Sequence, residues 1–214
     1  MIVPSHIVLV ILFIEIADIL RRVIMSENTG KNVLSILLGS PRKEGNSEVL
    51  ADALAEGAAS KGWEVRKVRL APMNIKGCLD CRRCWTMDKP CIQNDDMSKV
   101  YGDIEDASVV AFATPLYYYS WPAQIKPVLD RLLPYAMANA ERKIDGKRTI
   151  LLAACGDKDA AAFEGLKTSF RLAMKFLKWE VANEICVPDI YVKGDMVAKG
   201  TQFIEEAKKL GENL

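Results

Sequence analysis

Two stretches of this chain carry residue types that could do chemistry. In the first, Cys78-Leu79-Asp80-Cys81-Arg82-Arg83-Cys84 is followed by Cys91 after Pro90, so four of the six cysteines fall in one run spaced C-x2-C-x2-C-x6-C. Three thiolates two residues apart can wrap one face of a cubane iron–sulfur cluster, and a fourth nearby can close it. Zinc sites more typically show two separated C-x2-C or C-x2-C/His pairs. A disulfide framework does not suit a chain in which no secretion signal is read. Three occupancies stay open, in this order: a cluster on Cys78, Cys81, Cys84 and Cys91, thiols without metal, and zinc. Arg82 and Arg83 would offset the negative charge of such a group, or simply belong to a solvated loop. Cys155 and Cys186 fall at predicted strand ends and read as small buried hydrophobes.

The second stretch is Gly39-Ser40-Pro41-Arg42-Lys43-Glu44-Gly45-Asn46-Ser47. Strand-forming residues 33–38 precede it, and the apolar-periodic Leu50, Ala51, Leu54, Ala55 and Ala58 follow. A strand, a turn of small polar residues and a helix together aim backbone N–H groups and a helix dipole at a phosphate. The loop has neither the Gly-Lys-Ser/Thr ending of a P-loop nor a G-x-G-x-x-G pattern. Read alone, it is equally an ordinary capped turn.

The elements that must position these stretches alternate along the chain. A strand at 33–38, a helix near 47–61 and a strand near 63–70 lead into a cysteine-rich loop, 76–95 at its core. Met97, Val100, Tyr101 and Ile104 mark an amphipathic helix after Asp96. A strand at 108–113 then enters the loop Thr114-Pro115-Leu116-Tyr117-Tyr118-Tyr119-Ser120-Trp121. A helix carrying Ile125, Val128, Leu129 and Leu132 follows, with Pro127 compatible only with its first turn. A strand at 149–154, a helix at 160–177, a strand at 181–187 and a helix at 201–210 complete the count.

Five strands alternating with helices imply an α/β doubly wound parallel sheet covered on both faces, with the flavodoxin-like order 2-1-3-4-5 expected at this size. That order places a ligand outside the carboxyl ends of the first and third strands. The loops there are 39–47 and 114–121, one suited to a phosphate and the other to a flat ring.

Composition narrows the chemistry. The chain has 214 residues, 29 Lys+Arg against 28 Asp+Glu, and a formal net charge of +1, which argues against a general nucleic-acid surface. With His6 as the one histidine, a histidine dyad or histidine metal centre has no support. Residues 1–29 form an N-terminal extension to a domain at 30–214. Its apolar run, Ile7 to Ile14, falls short of the roughly 20 residues that span a bilayer. The arginines at 21 and 22 follow the run, whereas a signal peptide carries its charge before it. An anchoring or dimer-packing helix and a membrane-surface helix are weighed against a start assigned too far upstream, which is preferred because Met25-Ser26-Glu27-Asn28 makes a natural beginning. The expectation is a cytoplasmic protein.

These pieces together resemble the NADPH-dependent FMN reductase and iron–sulfur flavoprotein family of the flavodoxin-like superfamily. The resemblance rests on Gly39-Ser40-Pro41-Arg42-x-x-Gly45-Asn46-Ser47, Gly77-Cys78-x-x-Cys81-x-x-Cys84, Cys91-x-x-x-Asp95-Asp96-Met97, Thr114-Pro115-Leu116-Tyr117-Tyr118 and Lys126-x-x-x-Asp130-Arg131. It implies FMN as cofactor, with Ser40, Arg42, Asn46 and Ser47 at the phosphate and Thr114, Pro115, Leu116, Tyr117 and Tyr118 at the ribityl chain and ring. Gly156, after the fourth strand, would border the ring. The iron–sulfur branch implies Cys78, Cys81, Cys84 and Cys91 as [4Fe-4S] ligands.

The activity implied is that of an oxidoreductase fed by NAD(P)H or a ferredoxin. Its rivals are a non-catalytic electron carrier serving protein partners and a zinc-stapled module without flavin. A homodimer or homotetramer is expected, with the cysteine loop and Trp85 as contact surface.

Overall fold

Val33–Leu38 forms β1, an interior strand of the sheet, and all six of its side chains are buried. A strand enclosed on both faces needs a predominantly apolar run, since alternation would bury polar groups, and Ser35 is the one polar residue in it. The structure, a computed structural model, describes residues 32–136 and 144–214. The apolar run at 7–14 and the rest of the N-terminal extension lie outside them.

After β1 come α1 (Asn46–Ser60), β2 (Glu64–Arg69), α2 (Met97–Asp106) and β3 (Val109–Pro115). Two short helices follow, α3 (Lys126–Asp130) and α4 (Leu133–Ala136). The chain closes with β4 (Arg148–Ala154), α5 (Glu164–Leu177), β5 (Glu180–Val187), α6 (Asp195–Lys199) and α7 (Thr201–Glu212). The five strands pair in parallel in the order β2-β1-β3-β4-β5, as expected from the alternation. The order reverses between β1 and β3, so their carboxyl ends diverge into the loops that begin at Gly39 and after Pro115.

Each face of the sheet has its own core. Leu50, Leu54 and Ala58 of α1 pack with Met196 and Ala207 against Leu34, Ile36 and Ile150. On the other face, α2, α3 and α5 bring Val100, Ile104, Val128 and Phe170 against Leu37, Phe112 and Leu151. The cysteine-rich loop belongs to this second face.

Two details depart from the sequence expectation. The single helix expected at 125–132 is broken into α3 and α4, with Pro127 in the first turn of α3 and Pro134 in the first turn of α4. Proline has no N–H to give and crowds the preceding turn, so each suits a helix start and opposes one continuous rod. The short helix α6 has no counterpart in the sequence reading; at five residues it is below the length at which hydrophobic periodicity is visible.

Candidate functional site

The loop after β1 is held by its own polar groups. The Arg42 N–H donates to Ser40 Oγ at 3.2 Å, and Glu44 takes a left-handed φ of +54° to turn the chain into α1. The Glu44 N–H donates to the Glu48 carboxylate at 2.6 Å, and that carboxylate pairs with Arg69 of β2. A Cβ on Gly45 would stand 3.1 Å from Ser40 Oγ and 3.3 Å from the Arg42 carbonyl, so a side chain there would press the turn open by a few tenths of an ångström. The first-turn N–H groups of Asn46 and Ser47 have no acceptor within the helix. Both residues line an open cleft of about 620 Å³.

Of the residues singled out from the sequence, the cleft collects Ser40, Arg42, Asn46 and Ser47 on one side and Pro115, Leu116 and Tyr117 on the other, with Gly156 also in its wall. Thr114 and Tyr118 are not among its lining residues. Thr114 is buried below, its Oγ1 donating to the Pro115 carbonyl at 2.9 Å. Tyr118 is 99% exposed. It forms with Tyr119 the tip of a two-residue hairpin, at φ +46° and +60°, closed by paired backbone hydrogen bonds between Tyr117 and Ser120. Positive φ at both central residues is the geometry of a type I′ turn, usually given to Asn and Gly, and costly for a bulky side chain.

The loop after β5 is the wall that the sequence did not announce. Ile190 and Tyr191 line the cleft. Arg42 Nη1 donates to the Tyr191 carbonyl at 3.3 Å, Asn46 Nδ2 donates to the Val192 carbonyl at 2.8 Å, and Asn46 Oδ1 accepts from the Met196 N–H at 3.3 Å. Asp195 fastens the same loop by accepting from the Tyr191 and Val192 N–H groups. Those two bonds hold its carboxyl below the usual range. A Cβ on Gly156 would fall 2.5 Å from Tyr191 Cδ2, so a side chain there would displace the aromatic wall.

The four cysteines 78, 81, 84 and 91 line a separate hollow of about 370 Å³, together with Tyr101, Asp130 and Arg131. All four are free thiols. Among the described residues no three His, Cys, Asp or Glu side chains are arranged to hold a single metal ion. The loop's neck is zipped shut: the Asn74 N–H donates to Asp96 Oδ2 at 2.9 Å, the Lys76 N–H to Asp95 Oδ2 at 3.0 Å, and Gln93 Nε2 to the Gly77 carbonyl at 2.9 Å. Between the cysteines, Asp80 and Arg82 have left-handed φ of +47° and +57°, and the Asp80 N–H donates to Cys78 Sγ at 3.4 Å. Burial, and then the other three cysteines, push the Cys84 thiol up.

An ion pair backs the hollow. Arg131 Nη1 meets Asp95 Oδ2 at 2.5 Å, with the two side chains 1% and 0% exposed. Burial opposes ionisation of Asp95, but the Arg131 guanidinium and the Lys76 and Met97 N–H groups outweigh it and hold the carboxyl below its ordinary range. Asp95 and Arg131 belonged to motifs visible in the sequence, but nothing local said that they would meet.

The sequence profile describing NADPH-dependent FMN reductases matches residues 32–184. The chain belongs to the NADPH-dependent FMN reductase family. An iron-sulfur flavoprotein from Archaeoglobus fulgidus is 33% identical over 126 residues, 59% of this chain and 57% of that protein. One from Methanosarcina thermophila is 34% identical over 93 residues, 44% of this chain and 48% of the relative. The chain thus spans about half the length of these two curated relatives. Among solved structures, the NAD(P)H:quinone oxidoreductase from Methanothermobacter marburgensis aligns with a TM-score of 0.64 at 22% identity, over 86% of this chain and 97% of its own. An azoreductase from Bacillus anthracis aligns with a TM-score of 0.60 at 18% identity, over 86% of this chain and all of its own length. At such identities the likeness is one of fold alone.

Proposed function

We propose that the cleft binds FMN, that the four cysteines hold a [4Fe-4S] cluster, and that the chain is an oxidoreductase fed by NAD(P)H or a ferredoxin. One observation carries the reading: a phosphate-type loop and a ring-type loop flank the β1/β3 crevice, where the strand order reverses.

The residues present fit FMN. Ser40, Ser47, the Arg42 guanidinium and the first-turn N–H groups of α1 supply donors for a phosphate dianion. Asn46, engaged at both ends of its amide, serves by pinning the phosphate loop to the loop after β5. Pro115, Leu116 and Tyr117 offer an apolar wall, and Gly156 lets the backbone approach closely.

The residues present also fit a cluster. Alternating left-handed residues form concavities of N–H groups that favour anionic sulfur, and Asp80 and Arg82 make such a stretch between the cysteines. Four thiols gathered on one loop at C-x2-C-x2-C-x6-C spacing are the donor set of a cubane cluster, and no three of them converge as the ligands of one zinc ion would. When bound, FMN would supply hydride or one-electron chemistry and the cluster one-electron transfer. The protein's part is to clamp, orient and exclude water, which needs no histidine base.

The test is an anaerobic purification with a visible spectrum and iron and sulfide analysis. Flavin bands, a broad shoulder and about four irons per chain are expected. Flavin without iron would leave the cysteines as thiols, and no colour after addition of FMN would overturn the reading. Turnover with NADPH separates an enzyme from a carrier, which would react quickly only with reduced ferredoxin. We also propose a homodimer or homotetramer with the exposed Leu79 and Trp85 at its contact; a monomer in sedimentation at micromolar concentration would count against it. Among the described residues no helix is long and apolar enough to cross a membrane.

A further inference from the structure

We infer that Arg131 faces the cysteine hollow as a hydrogen-bond donor, its Nε–H and Nη2–H binding the sulfur of the cluster and raising its reduction potential. The inference rests on the cluster reading above and assigns a positioning residue to it.

Arg131 follows α3 and is sealed from solvent. One edge of its guanidinium is occupied: Nη1 donates to Asp95 Oδ2 at 2.5 Å and to the Lys76 carbonyl at 3.2 Å. Among the described residues, Nε and Nη2 are buried and have no acceptor. A buried donor left unmade is costly, the more so on a charged group, so folded proteins rarely leave one without a purpose. The guanidinium cannot turn away to find water. Asp95 holds it, and Asp95 is itself held by the Lys76 and Met97 N–H groups.

The hollow identifies the missing acceptor. Arg131 lines it together with all four cysteines. Its neighbour Tyr101 presents a ring whose centroid lies 6.0 Å from the guanidinium carbon, and the Tyr101 hydroxyl donates to the Arg131 carbonyl at 2.9 Å. Of the other polar side chains there, Asp130 pairs with Lys126, Asp80 with Arg82 and Gln93 with the Gly77 carbonyl, which leaves the four sulfurs. A thiolate or cluster sulfide is anionic, large and polarisable, and accepts the paired N–H groups of an arginine edge. Because Asp95 already balances the charge, Arg131 acts through directed hydrogen bonds more than through net charge. Hydrogen bonds to cluster sulfurs raise the potential. Arg82 is exposed beside the same cysteines, where water screens its effect.

The test uses anaerobically loaded full-length protein. Arg131→Lys keeps the cation for Asp95 but loses the planar fork, and Asp95→Asn/Arg131→Met removes the pair together so that no buried charge stands alone. At equal flavin content, both variants are expected to have a cluster about tenfold less reduced at a fixed donor ratio, a fall of about 59 mV for a one-electron couple. Loss of iron at unchanged flavin content and melting temperature would also support the inference. Asp95→Asn alone should lower stability without lowering the potential, because the free edge of Arg131 remains and its charge is no longer balanced. A purely structural Arg131 would instead move stability in every variant and the potential in none, and that result overturns the inference.

One measurement needs no Arg131 variant and decides the matter should both fail to fold. In 15N-arginine-labelled protein carrying Arg82→Lys and Arg83→Lys, pulsed EPR of the reduced cluster should show a 15N coupling. Its absence overturns the inference. A wild-type protein that takes up iron while these readouts fail overturns the Arg131 role alone, whereas a wild type that takes up no iron overturns the cluster reading and this inference together.

Discussion

The cleft and the hollow both depend on loops leaving the carboxyl ends of the strands, yet they are built in opposite ways. Loops following four different strands wall the cleft, and it is closed by bonds that reach across the chain, such as Asn46 to Val192 and Arg42 to Tyr191. One continuous loop supplies most of the hollow, zipped at its neck and backed by a single buried ion pair. The cleft spreads its cost over many weak contacts, and loss of one should leave the others. The hollow concentrates its stability in Asp95 and Arg131, so it should fail abruptly.

The largest effect should come from the cysteines. Cys84→Ser or Cys91→Ser is expected to reduce iron from about four per chain to near zero while flavin content holds. Joint loss of flavin and iron would show that the two regions are not independent. Next, Asp95→Asn should cost about 3–5 kcal/mol in urea unfolding at pH 7, because it strands the Arg131 charge. Asp95 has a depressed folded pKa, so its contribution is present above the ordinary aspartate value and is lost as pH falls through the lower folded value. The gap between wild type and variant should therefore narrow only below about pH 4.

On the cleft side, Gly156→Val should push Tyr191 aside and weaken FMN binding about tenfold in fluorescence titration, about 1.4 kcal/mol, with iron unchanged. Asn46→Ala should cost about 1–2 kcal/mol of stability through the two lost staples, a graded loss in keeping with distributed contacts. The smallest effect is at the hairpin tip. Tyr118→Asn should stabilise by up to about 1 kcal/mol by easing the left-handed backbone, and a fall in activity at unchanged flavin affinity would give the exposed ring a role in turnover.

Legibility followed the same division. The strands, their order and the two loops at the switch point could be read because periodicity and strand-turn-helix grammar are local. The run β1-loop-α1 came out within a residue of its expected bounds. Tyr191 could not be found that way, since it stands in a loop about 150 residues from the turn after β1 that it meets. The three tyrosines in a row looked alike in sequence. The hairpin separated them, turning Tyr117 toward the cleft and leaving Tyr118 and Tyr119 in solvent.

By itself, then, the sequence determined the doubly wound sheet, the phosphate-type turn and the four-cysteine spacing, because each depends on residues within one or two turns of chain. Tertiary structure alone decided that the loop after β5 closes the cleft and that Asp95 and Arg131 meet behind the cysteines with two N–H groups to spare. Such pairings are set by how helices cross the sheet, and the strength of a buried ion pair depends on the solvent it has lost, which no local pattern encodes.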